Sequence, residues 1–189
     1  MTNDNQQMTT EQQYEKAIGS SKKIFLQKTK DYGTSWRVYR TISVADQLYI
    51  KAKRIKTIQE LGKQRIDENV ISEFMGILNY AIIGLIQLDI NDDELEELPV
   101  ETVEIMYNEK AGIAKNLMLD KNHDYGEAWR AMSQESFVDL ILAKILRIKQ
   151  ILMNQGQTIV SEGIDANYYD IINYAAFGLI LIEEKVHSS

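Results

Sequence analysis

The chain has 189 residues, 28 acidic and 21 basic side chains for a net charge of −7, no cysteine, two histidines and one proline. Without cysteine there is no disulfide framework, thiolate metal site or cysteine nucleophile. An acid excess without a basic tail argues against general duplex binding, which depends on neutralising phosphates.

Two sequence features set the expected location. The polar start MTNDNQQMTT lacks a basic-then-apolar stretch, so no signal peptide is expected. The longest apolar run, 77–88, is broken by Asn79 and Gln87 and falls short of the roughly 20 residues of a membrane span. These features predict a soluble, cytoplasmic protein with no membrane partner.

The chain is a tandem repeat. Residues 28–60 laid on 121–153 match at 13 of 33 positions, and 68–86 laid on 162–180 match at 8 of 19. The matches include Tyr32, Gly33 and Trp36 with Tyr125, Gly126 and Trp129.

In chain order, the first predicted helix covers 11–30 and ends before Asp31-Tyr32-Gly33. The second covers 43–61, where the Ser43 to Asp46 spacing suggests an N-terminal capping box and Gly62 suits a helix end. A third covers 68–88, with Ile71, Phe74, Leu78, Ile82 and Leu85 at helical spacing. Around the junction, from Asp89 to Glu104, lie eight acids and no base, which suits a solvated linker. The pattern then recurs at 102–121, at 136–154 with Ser136 and Asp139 as the box, and at 165–185. These elements predict an all-α, internally duplicated bundle of about three long helices per repeat. Residues 11–90 form repeat one, 91–104 the linker and 105–187 repeat two, packed as one pseudo-symmetric body. The unequal third-helix faces leave room for a homodimer.

Three constellations carry candidate chemistry. Lys51 with Arg54, and Lys144 with Arg147, put two cations on one helix face. Such pairs suit a phosphate, although solvated basic faces also look like this. An acidic set joins Asp170 and Asn173 on one face with Glu162 nearby, and Glu73 in repeat one. A hard cation such as Mg²⁺ takes one or two carboxylates and keeps waters for a phosphate substrate. The plainer alternatives are helix-dipole acids and buried amides bonding a neighbouring helix. Asp139 is a second-choice ligand whose capping position also explains it. The third constellation is Lys-x-x-Asp-Tyr-Gly-x-x-Trp-Arg, at 28–37 and 121–130. Tyr32 and Trp36, or Tyr125 and Trp129, could flank a nucleobase or simply seal the bundle end.

Asp-Tyr-Gly-x-x-Trp, then Lys-x-x-Arg-Ile-Lys, then Asn-Tyr-Ala in an apolar helix resemble the Nucleotide modification associated domain 1 family in a two-copy form. That family is considered similar to all-α nucleotide pyrophosphohydrolases of the MazG type. The resemblance implies a helical site in which carboxylates hold Mg²⁺ while water attacks a nucleoside triphosphate. The acids expected on the second helix are replaced here by Lys144-x-x-Arg147, and the later Glu-x-x-Asp survives only as Glu73-x-x-Gly76 and Asn167-x-x-Asp170. One expectation is therefore a composite site in which Glu73 faces Asp170 and the four cations bind phosphates. The alternatives are a non-catalytic nucleotide-binding module and a purely helical interaction protein.

Overall fold

The computed structural model describes residues 7–62, 69–90, 97–159 and 162–189. Among these residues the chain forms only helices: α1 (Thr10–Tyr32), α2 (Thr41–Leu61), α3 (Val70–Asp89), α4 (Val100–Tyr125), α5 (Gln134–Met153) and α6 (Ile164–Glu183). Single 3-10 turns at Ser35–Val38 and Ala128–Ala131 follow α1 and α4. The all-α expectation of three long helices per repeat holds.

Local chemistry explains most of the boundaries. Thr9 and Gln12 form a reciprocal capping box at the start of α1, closing two backbone N–H groups. At the far ends of α1 and α4 the chain reverses at Gly33 (φ +67°) and Gly126 (φ +61°), a backbone region that favours glycine. The capping boxes expected at Ser43 and Ser136 are not present. α2 starts at Thr41 and α5 at Gln134, so both serines lie inside their helices. In repeat two the cap is Ser133, whose hydroxyl accepts the Ser136 N–H at 3.2 Å. The serine-to-acid spacing was right for a box but lay in the wrong register.

Helices α2, α3, α5 and α6 pack around one core, with α3 against α6 and α2 against α5 across the repeats. α1 and α4 lie alongside, each touching both α3 and α6. α3 is long and apolar enough to cross a membrane by length and composition, but 67% of that window is buried inside the bundle. Its hydrophobicity serves the core.

The two repeats interlock through contacts that occur twice. The Tyr14 hydroxyl donates to Asn173 Oδ1 at 2.7 Å, and the Tyr107 hydroxyl donates to Asn79 Oδ1 at 2.8 Å. Each amide then donates to a carbonyl on a neighbouring helix, Asn79 to Ser21 and Asn173 to Ala114. Burial drives both phenol pKa values upward, so both remain neutral donors. Phe74 lies over Gly178 and Tyr168 over Gly84, and at either glycine a Cβ would collide with the ring. At the surface, Asp46 pairs with Lys149 (2.6 Å) and Asp139 with Lys56 (2.9 Å). Among the described residues the helices of both repeats share one hydrophobic core.

The acidic junction is shorter than its sequence suggests. α4 begins at Val100, so Glu101 and Glu104 are helical. Glu97 accepts the Thr34 N–H at 3.3 Å, and the Leu98 N–H reaches the Thr34 hydroxyl at 3.0 Å. These two bonds dock the end of the linker onto the Asp-Tyr-Gly turn of repeat one. Glu68 and residues 91–96 lie outside the described residues.

Candidate functional site

The Lys-x-x-Asp-Tyr-Gly-x-x-Trp motif ends α1, and the helix-ending glycine folds Trp36 back against α3. A cavity of about 280 Å³ opens there, walled by Tyr32, Trp36, Tyr39 and Tyr80 and bordered by Lys28 and Lys51. Tyr39 and Tyr80 stack at 6.4 Å. The Lys51 ammonium stands 5.7 Å from the Tyr80 ring centre, within cation–π range. Burial, with Tyr39 and Tyr32 nearby, pushes the Tyr80 hydroxyl up to about 12. The floor is Gly76, where an added Cβ would lie 2.9 Å from Lys51 Cε.

Two features make this cavity chemically unfinished. Trp36 is 6% exposed, and its indole N–H has no hydrogen-bond partner. A buried donor without an acceptor is costly, about 1–3 kcal/mol. Among the described residues Lys28 has no ion pair. Lys51 reaches Glu73 only at 3.6 Å, because the nearer partner of that carboxylate is Arg54 at 3.1 Å.

The same place in repeat two is closed. Its cavity is about 140 Å³, lined by Lys121, Tyr125, Trp129 and Asp170. Asp170 replaces Gly76, and its carboxylate bonds Lys121 at 2.7 Å and Lys144 at 2.6 Å. Burial pushes the Asp170 pKa up, but the two lysines outweigh it and hold the group below the ordinary aspartate range. Asn122 replaces Thr29 and accepts the Trp129 indole N–H at 3.1 Å. Thr29 instead turns its hydroxyl to the Phe25 carbonyl. Phe177 replaces Ile83 and stacks on Trp129 at 4.2 Å, nearly parallel. Each deficit of repeat one is therefore met by a side chain in repeat two.

The remaining sequence-predicted residues are dispersed. Glu73 is 3% exposed and serves Arg54 and Lys51 within repeat one. Arg147 and Lys144 border a separate open cleft with Glu162 and Asn167, and among the described residues Arg147 has no ion pair. The carboxylate has thus shifted by one turn between repeats: Glu73 holds the arginine, Asp170 the lysines. Glu73, Glu162 and Asp170 line three different places and do not converge. Asn173 uses its amide oxygen on Tyr14, and Asp139 sits at the surface with Lys56. No group of three histidine, aspartate or glutamate side chains among the described residues could hold a metal ion. The carboxylate set expected for Mg²⁺ does not assemble here.

The phosphate and base candidates split in the same way. Lys51, Tyr32 and Trp36 share the open cavity of repeat one, while Arg54 stands behind it on Glu73. Tyr125 and Trp129 line the closed one, and Lys144 reaches it only through Asp170. Tyr39 was absent from the sequence reading, and Lys28, Gly76 and Tyr80 entered it only within motifs, without a binding role. The Gly76 and Asp170 mismatch was visible in the alignment as half a metal motif, and its effect on the lysines needed the packing.

No curated protein and no solved structure matches this chain. The profile of Nucleotide modification associated domain 1 matches residues 28–88 and 121–182, well over half the length. The two segments begin at Lys28 and Lys121 and end with α3 and α6, so they contain most of the lining of both cavities. The chain belongs to the nucleotide modification associated domain 1 family, in a tandem two-copy form.

Proposed function

We propose that this chain is a nucleotide-binding module whose site is the repeat-one cavity. The base lies against Trp36 and Tyr32 and supplies an acceptor for the indole N–H. The phosphate is held by Lys28 and Lys51. The observation that carries this reading is the contrast at one position: Gly76 leaves two lysines facing an aromatic cavity, whereas Asp170 neutralises their counterparts. The cavity is slightly below the roughly 300–1,000 Å³ of typical ligand pockets, which suits a small ligand with its phosphate at the mouth. Membership in a family associated with nucleotide modification supports the same ligand class.

Metal-assisted pyrophosphate release lacks comparable support, because its carboxylates are dispersed and each is engaged by a cation or set apart. Binding without turnover is therefore the reading adopted. Thermal-shift and calorimetric titration against the common nucleoside mono-, di- and triphosphates tests it. A bound nucleotide at 100 times its dissociation constant adds about 2.7 kcal/mol of stability. Lys51→Ala should weaken binding about 10- to 100-fold, the scale of one charge-assisted hydrogen bond. Absence of saturable binding across that panel refutes the reading.

A further inference from the structure

Of the matched positions at which the two cavities differ, three act in the same direction. Where repeat one has Gly76, Thr29 and Ile83, repeat two has Asp170, Asn122 and Phe177. Asp170 places two carboxylate oxygens against two ammonium groups, one at 2.7 Å and one at 2.6 Å. Asn122 places an amide oxygen 3.1 Å from the indole nitrogen. Phe177 covers the indole face with a parallel ring at 4.2 Å. An anion, a hydrogen-bond acceptor and a stacked planar ring are the three groups that a nucleotide brings to such a pocket. Repeat two supplies all three from its own chain.

We propose that repeat two is the same nucleotide pocket held shut by an internal substitute for the ligand. In it Asp170 stands for the phosphate, Asn122 for the base edge and Phe177 for the base face. The inference rests on the nucleotide reading of repeat one, and it assigns repeat two a latent site for the same ligand class. The pockets share their cations and their tryptophan: Lys28 and Lys121, Lys51 and Lys144, and Trp36 and Trp129 occupy matched positions. Replacing the three substitutes with their repeat-one counterparts should therefore open a second site.

Two measurements test the proposal. The first is crystallography of Asp170→Gly, with Asp170→Ala as a second variant that keeps better helix propensity, in the presence of sulfate. An anion bridging Lys121 and Lys144 is expected; a pair of lysines left without an anion in both variants overturns the proposal. This result does not depend on any nucleotide. The second is calorimetry of the triple variant Asp170→Gly, Asn122→Thr, Phe177→Ile with the nucleoside monophosphate that binds the parent chain most tightly. One equivalent per chain is expected for the parent and two for a folded triple variant. A folded triple variant that still binds one equivalent overturns the latent site and leaves the repeat-one reading standing. A parent chain that binds no nucleotide removes that reading, and with it the nucleotide identity of the latent site. The sulfate experiment then still decides whether Asp170 takes the place of an anion.

Discussion

Repeats one and two use one helical frame to opposite ends. In repeat one the end of the first helix meets the third across Gly76, and the result is an aromatic cavity with an unpartnered indole N–H. In repeat two the same meeting is sealed by Asp170, Asn122 and Phe177, and both lysines and the indole N–H have partners. The lesson is that an unsatisfied group says little alone and much beside a matched copy that is satisfied. Close packing and polar satisfaction are the ordinary state of a protein interior. The copy that departs from it is where the proposal places the ligand.

The sharpest way to break this comparison is to move the plug. Gly76→Asp should place a carboxylate between Lys28 and Lys51 and weaken nucleotide binding by more than about 100-fold, the scale of blocking two charge-assisted contacts. Its melting temperature should hold or rise, because the new acid meets two lysines. Retained affinity in a folded variant would contradict the placement of the phosphate.

The shared frame makes the next prediction. Asn79→Ala and Asn173→Ala each leave a buried tyrosine hydroxyl and a backbone carbonyl without their partner. Each should cost about 2–3 kcal/mol in urea denaturation, and by similar amounts. A loss at one position only would show that the pseudo-twofold is not energetically symmetric.

The tryptophans separate function from stability. Trp36→Phe removes a donor that only a ligand can satisfy, so nucleotide affinity should fall about tenfold while stability is unchanged or improved. Trp129→Phe removes a donor already bonded to Asn122, so stability should fall by about 1 kcal/mol with affinity unchanged. Paired denaturation and calorimetric curves for the two variants check both halves. The smallest effect is expected at Tyr168, whose buried hydroxyl has no partner and whose matched residue is Phe74. Tyr168→Phe should be neutral or stabilising by up to about 1 kcal/mol, measured by urea denaturation.

Much of the fold was legible because it rests on periodicity and on one repeated turn. Ile71, Phe74, Leu78, Ile82 and Leu85 lie on α3 as their spacing required, and Gly33 and Gly126 end their helices as expected. The capping boxes misled because Ser43 and Ser136 sit inside helices that begin two residues earlier. Asp46 and Asp139, the acids of those boxes, instead join the repeats through lysines 103 and 83 residues away along the chain, so no local pattern reveals them. The site was legible only in part. Tyr32, Trp36 and Lys51 were singled out by type and repetition. Lys28 and Gly76 matter because of what faces them across the bundle, and that is a property of packing. The acids misled for the same reason: spacing along a helix puts Asp170 near Asn173, but α4 brings Lys121 to Asp170 and α1 brings Tyr14 to Asn173 from outside that helix.

The most direct test of the account is the stoichiometry and location of nucleotide binding in the unmodified chain, from calorimetry and a structure of the complex. The account predicts one equivalent per chain, with the base against Trp36 and the phosphate between Lys28 and Lys51. Two equivalents, or a nucleotide seated at Trp129, would contradict it.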